Sequence, residues 1–155
     1  MNSFATAYFD QAYYLEHNPD VLAAVAAGAY PSAYDHFVEY GRFEGRAPCA
    51  SFNPSQYLID NPDVLAAVSA GVLPSAWDHF ITYGIHEGRG SGSFAGHFDD
   101  AAYLAANSDV AEACKKGWFA NGYEHYLLYG KAEHRDAWNT HGDQIDVVPG
   151  TTFTL

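Results

Sequence analysis

"NPDVLAAVAAG" fills Asn18–Gly28, and "NPDVLAAVSAG" fills Asn61–Gly71, the same phrase with one change 43 positions later. A catalytic motif needs to be written once. A supersecondary unit that cannot bury its own apolar face is written again and stacked. Residue by residue the phrase spells a helix. Asn18 suits the N-cap, Pro19 the first helical position, and Asp20 the positive end of the helix dipole. Val21, Leu22 and Val25 share one face, and Gly28 stops the helix in a left-handed conformation.

The likeness extends outward on both sides. Phe9, Tyr14, Leu15, His36, Tyr40, Gly41, Glu44 and Arg46 align with Phe52, Tyr57, Leu58, His79, Tyr83, Gly84, Glu87 and Arg89. A third copy carries Phe98, Tyr103, Leu104, Asn107, Asp109, Val110, Gly117, His125, Tyr129, Gly130, Glu133 and Arg135. It follows after GSGSFAGH, a Gly/Ser-rich linker that tolerates insertion.

Each copy reads as three short helices. The first is capped by Asp10, Asn53 or Asp99 and stapled by Phe9 on Tyr14, Phe52 on Tyr57 and Phe98 on Tyr103. The second opens with the repeated phrase. The third starts at Ser32, Ser75 or Asn121, with Asp35, Asp78 or Glu124 at capping-box spacing. It buries Ala33, Phe37 and Tyr40 and ends at Gly41, Gly84 or Gly130. Helices of about ten residues are marginal alone. The expected fold is therefore all-α: a compact array of three helical repeats (9–46, 52–89 and 98–135) within a single domain, 1–137. Residues 138–155 read as an extended, β-like tail. Its end, VVPGTTFTL, alternates like an entering strand and suggests an N-terminal piece leading into a downstream β-rich domain.

Composition narrows the function. Nineteen Asp and Glu against seven Lys and Arg give a net charge of -12. That opposes nucleic acid, whose binding depends on cationic contacts with phosphate, and electrostatic docking on an anionic membrane. No apolar run reaches membrane-spanning length, and the N-terminus lacks a secretory signal pattern. Cys49 and Cys114 occupy unrelated repeat positions, so no disulfide is inferred, and Cys114 takes the place of Val25 and Val68 as a small apolar residue.

No catalytic residue and no metal site are assigned. Of the acids that recur, Asp20 and Asp35 and their counterparts are explained by caps and dipoles, while Glu44 stands beside Arg46. Each copy supplies one histidine, His36, His79 or His125, where a metal would need several converging ligands. A half-buried imidazole holding a loop carbonyl is the expected role. Arg46 is expected to pair with Glu44 and Arg89 with Glu87, or each with helix ends in the next copy, and alternatively with a ligand. Trp77 stands where the other copies have Tyr34 and Tyr123. Tyr30, Leu73 and Phe119 hold the loop before the third helix, with Trp118 beside Phe119. Tyr30, Trp77, Trp118, Phe119 and Tyr123 are therefore candidates for sugar stacking or protein contact, against the alternative of packing on the adjacent copy.

The pattern F-[DN]-x-x-x-Y-L-x-x-N-P-D-V, then H-F-x-x-Y-G, then E-G-R resembles repeats in the N-terminal region of RTX-type S-layer proteins and adhesins of Gram-negative bacteria. Similar repeats accompany some polysaccharide-related glycosyltransferase proteins. The resemblance covers about residues 9–136. It implies type I export, a location on the cell surface, and a non-enzymatic domain tethering the protein to the O-polysaccharide of lipopolysaccharide. An acidic domain would do so by stacking on sugars, by hydrogen bonds to hydroxyls, or by calcium between its carboxylates and anionic sugars or phosphates. The rival expectations are a structural spacer or self-assembly module, acting in a lattice, and an accessory domain of a glycan-processing enzyme.

Overall fold

The computed structural model describes residues 8–94 and 96–145. VVPGTTFTL lies outside them. Among the described residues the chain is an all-α array of short helices with one two-stranded sheet near the C-terminus. Helices α1 (Gln11–His17), α2 (Pro19–Ala26) and α3 (Ala33–His36) belong to the first copy. Helices α4 (Pro54–Asp60), α5 (Pro62–Ser69) and α6 (Ala76–His79) belong to the second, and α7 (Asp100–Ala106), α8 (Ser108–Lys115) and α9 (Gly122–His125) to the third. Strands β1 (Ala137–Trp138) and β2 (Gln144–Ile145) pair antiparallel.

The residues fall into two compact units. Among the described residues the first takes 8–84 with 91–93, and the second takes 85–90, 94 and 96–145. In the first unit the chain leaving each copy returns to that copy's first cap. The Asp10 N–H bonds the Pro48 carbonyl at 3.0 Å, and the Asn53 N–H bonds the Ser91 carbonyl at 2.9 Å. In the second unit the Asp99 N–H bonds the Trp138 carbonyl at 2.8 Å, so the β hairpin provides the closure that Pro48 and Ser91 provide before it. Phe98 and Asn139 add a further bridge.

The helix starts follow the sequence closely. Asp10, Asn53 and Asp99 accept from the N–H groups of Tyr13, Gln56 and Ala102. The staples form, with ring centroids 5.2 Å apart for Phe9 and Tyr14, 5.3 Å for Phe52 and Tyr57, and 5.4 Å for Phe98 and Tyr103. Gly28, at φ +81°, closes α2 with its own N–H on Val25 and the Ala29 N–H on Ala24, which is a Schellman stop.

Three local readings are corrected. Asn18 sits at the cap position of α2 but makes no side-chain cap bond. Its amide donates to the Tyr14 carbonyl at 2.7 Å, tying down the end of the preceding helix. Leu22 is exposed, and the buried face of α2 centres on Val21. The third helix of each copy is α-helical for one turn only. Phe37–Gly41, Phe80–Gly84 and Tyr126–Gly130 are π-helical turns. Arg42 and Lys131 bond the carbonyls of Phe37 and Tyr126, five residues back, at 2.9 Å. The wider turn carries one more residue per turn, so Tyr40 swings off the apolar stripe that α-helical spacing would give it.

The third copy departs at its closing turn. Gly45 and Gly88 adopt φ +76° and +70°, and the matching residue is His134 at φ +58°, the one positive-φ residue other than glycine among those described. A left-handed conformation costs an L-residue roughly 1–2 kcal/mol. His134→Gly is expected to stabilise the chain by up to about 1 kcal/mol, less glycine's greater unfolded entropy. The urea midpoint should rise with an unchanged m-value; a fall would mean that the His134 side chain holds the turn.

Candidate functional site

In every copy a buried tyrosine from the first helix meets the repeated histidine. Tyr14 Oη lies 2.9 Å from His36 Nδ1, Tyr57 Oη 2.8 Å from His79 Nδ1, and Tyr103 Oη 2.9 Å from His125 Nδ1. The histidines are buried, and their partner is this hydroxyl rather than a loop carbonyl. The constant spacing of 22 residues between tyrosine and histidine was the available signal in the sequence. Burial pushes the Tyr14 and Tyr103 hydroxyls up to about 12. A phenol held that high is a poor proton donor or acceptor at neutral pH, so the pair acts as a structural clasp.

A second clasp closes the copy. Arg46 donates from Nη1 and Nη2 to both oxygens of Asp20, at 2.9 and 2.7 Å. It also reaches Asn18 Oδ1 at 2.8 Å and Glu44 Oε1 at 3.0 Å. Arg135 repeats this on Asp109, Asn107 and Glu133 at 2.8–3.0 Å. Arg89 donates to Glu87 at 2.7 Å. The bidentate fork fixes the closing segment to the start of the second helix. Hydrogen bonding from the arginine holds Asp20 and Asp109 at about 2, against an ordinary 3.8.

A pH profile follows from these shifts. Asp20 and Asp109 accept protons less readily folded than unfolded, so their contribution is full above about pH 4 and is lost as pH falls toward 2. Burial lowers the pKa of His125 below its ordinary 6.5, so stability also declines as pH drops below that value. Tyr14 and Tyr103 ionise more readily unfolded, which removes stability as pH rises above 10. Thermal unfolding midpoints across this range should plateau between about pH 6.5 and 10; a midpoint still rising above pH 10 would contradict the buried hydroxyls.

Beside each histidine an aromatic edge reaches solvent. Tyr40, Tyr83 and Tyr129 are 49%, 50% and 53% exposed. Their rings lie 5.8, 5.5 and 5.8 Å from His36, His79 and His125. In the first copy Tyr30 meets His36 and Tyr40 edge-on, at 5.1 and 6.0 Å. In the third, Phe119 meets His125 and Tyr129 in the same way, at 5.0 and 5.8 Å. The second copy has Leu73 at that position. The edge tyrosines escaped the sequence reading because α-helical spacing placed them in the core.

The sequence-named aromatic residues divide. Tyr30 and Phe119 are half-buried members of these edges. Trp118, next to Phe119 in the chain, is 67% exposed, with the Lys116 ammonium 5.0 Å from its ring centroid. Trp77 and Tyr123 are core residues, covered by the neighbouring copy's segments. Trp77 is 2% exposed among Phe37, Phe52 and Tyr8. Tyr123 stacks on Phe98 at 4.4 Å and donates to the Arg89 carbonyl at 2.9 Å. Neither offers a face to a ligand. Arg46 and Arg89 are engaged by acids of their own copy.

Among the described residues no group of three His, Cys, Asp or Glu is arranged to hold a metal ion, and no helix is long and apolar enough to cross a membrane. The chain matches no protein-family model, no curated protein and no solved structure.

Proposed function

We propose that this chain is a non-enzymatic anchoring domain of a secreted, S-layer-type surface protein, and that it binds the O-polysaccharide of lipopolysaccharide. The observation that carries the reading is the half-exposed tyrosine at the same place in three copies, beside a histidine clasped from within. Burying the edge is not needed for the fold, since the core is filled by the first-helix tyrosines and Phe37, Phe80 and Tyr126. A repeated flat ring with a polar rim suits a repeating sugar chain, with stacking on the ring and hydrogen bonds at its margin. The motif resemblance to S-layer repeats supports the same class of partner. Tyr30, Phe119 and Trp118 widen the edge where they stand. Calcium joining surface carboxylates to anionic sugars fits the acidic charge and remains part of the proposal.

Replacing Tyr40, Tyr83 and Tyr129 together by alanine tests this edge. Each is about half exposed, so the fold should survive, as judged by circular dichroism and the urea midpoint. Affinity for purified O-polysaccharide in a fluorescence titration should fall at least about tenfold, roughly 1.4 kcal/mol. Unchanged affinity in a folded triple variant would overturn the assignment.

Exposed Leu22, Ile59, Leu65 and Val72 favour the second reading, a self-assembly module. Sedimentation of the chain without glycan separates the two. A monomer that shifts only on adding polysaccharide supports anchoring, and concentration-dependent assembly without it supports the module.

A further inference from the structure

The clasp inside a copy uses one imidazole nitrogen and leaves the other. Tyr14 and Tyr103 are fully buried, and among the described residues their hydroxyls make one hydrogen bond each, with Nδ1 of His36 and of His125. A hydroxyl sealed from water satisfies its hydrogen only by donating it. Tyr14 Oη and Tyr103 Oη therefore donate, and Nδ1 accepts. A neutral imidazole carries one ring proton, so that proton sits on Nε2. Burial lowers the pKa of His125 below its ordinary 6.5, which keeps its ring neutral at neutral pH.

Nε2 is thus a donor fixed in tautomer and direction, and it faces outward. Among the described residues, Trp77 Nε1 is the side-chain nitrogen or oxygen that is wholly buried without a partner. Nε2 of His36 and of His125 has no hydrogen-bond partner among them either. It therefore keeps a path to solvent, although each histidine is 7% exposed. The rings flanking these imidazoles are those of the edges, Tyr30 and Tyr40 in the first copy and Phe119 and Tyr129 in the third. In the third copy Nε2 lies 3.9 Å from Glu133 Oε1, too far for a hydrogen bond. Glu133 accepts from Arg135 Nε at 2.8 Å, and an ionised carboxylate offers about four acceptor positions, so it has room for another donor. Glu44 accepts from Arg46 Nε in the matching place of the first copy.

We propose that His36 and His125 are sugar-binding residues, whose Nε2–H donates to a hydroxyl of the sugar that rests on the adjacent edge tyrosine. This inference rests on the polysaccharide reading and names its polar contact. A hydroxyl fits the third copy better than other acceptors do. It can accept from Nε2 and donate onward to Glu133, filling the 3.9 Å gap. An anionic acceptor would instead meet the Glu133 carboxylate as a like charge. The buried tyrosine holds the imidazole in its binding orientation before the ligand arrives, so little ordering is left to be done on binding.

The test uses the 155-residue chain with isotope-labelled histidine nitrogens, followed by long-range proton–nitrogen NMR at neutral pH. Without ligand, His36 and His125 should carry their proton on Nε2. Purified O-polysaccharide with calcium should shift both Nε2 signals saturably and more than Nδ1, while acetate at matched concentration should leave them in place. His36→Asn with His125→Asn keeps a polar group where Nδ1 stood and removes Nε2, and should weaken polysaccharide binding at least about fivefold. If that double variant does not fold, the parent's signals decide. A proton on Nδ1, an acetate shift as large as that with polysaccharide, or unchanged affinity in the folded double variant overturns the proposal. Unmoved Nε2 signals beside shifting Tyr40 and Tyr129 amides overturn it and leave the anchoring reading standing. If histidine and tyrosine signals all stay in place, both fall.

Discussion

Trp77→Ala is expected to destabilise the protein by about 3–5 kcal/mol, the range for removing a large buried ring. The indole is 2% exposed and packs edge-on against Phe52 at 5.5 Å, Phe37 at 5.7 Å and Tyr8 at 6.5 Å. These rings come from both copies of the first unit and from the segment that precedes them. Truncation leaves them facing a void that rigid neighbours cannot close. Domains of ordinary size are stable by only about 5–15 kcal/mol, so much of the total goes with this one ring. Trp77→Phe separates packing from polarity. The indole N–H is buried with no hydrogen-bond partner among the described residues. An unsatisfied buried donor costs about 1–3 kcal/mol, and removing it offsets much of the lost volume. Trp77→Phe should therefore cost less than about 2 kcal/mol by urea denaturation. Equal losses for phenylalanine and alanine would show that the N–H is satisfied.

Gly41→Ala is the second large effect, and its sign is diagnostic. In an ordinary helical turn alanine would gain up to about 1 kcal/mol over glycine. Here the added β-carbon would overlap the Tyr14 hydroxyl, and the same holds for Gly130 and Tyr103. Neither tyrosine can step aside, because its ring is fully buried and its hydroxyl is tied to His36 or His125. Overpacking of this kind costs about 1–3 kcal/mol. Tyr14→Phe alone leaves His36 Nδ1 without its partner and is also destabilising. The double variant should lose clearly less than the sum, because the phenyl ring vacates the space that alanine needs. Additive losses would mean that Gly41 is required for some reason other than the tyrosine.

These glycines show how far sequence alone reaches. Local chemistry was legible: the caps at Asp10, Asn53 and Asp99, the staples, the glycine stop at Gly28 and the threefold repeat all follow from neighbours within a few residues in the chain. Contacts set by the return of the chain were not. Gly41 reads as a helix stop, yet it is needed because a tyrosine 27 positions earlier presses against it. The π turn that this contact accompanies has no propensity signature, and it moves Tyr40 from core to edge. Trp77 stands out as the departure from Tyr34 and Tyr123, and the sequence leaves contact with a ligand and packing on the adjacent copy both open for Trp77 and Tyr123; the structure gives the packing. The segment of a neighbouring copy that covers each one has no mark in the local pattern. Tyr30 and Phe119 do reach an edge, because the loop before the third helix sets them against the clasped histidine.

Repetition therefore divides into two kinds of residue. Tyr14, His36, Asp20 and Arg46 recur because they hold a copy together. Tyr40, Tyr83 and Tyr129 recur while remaining about half exposed, and the polysaccharide proposal rests on them. The most direct measurement is binding of the chain, with calcium present, to purified smooth lipopolysaccharide and to a rough form lacking O-polysaccharide, by co-sedimentation. Saturable binding to the smooth form and at least about tenfold weaker binding to the rough form are expected. Equal binding to both would contradict it.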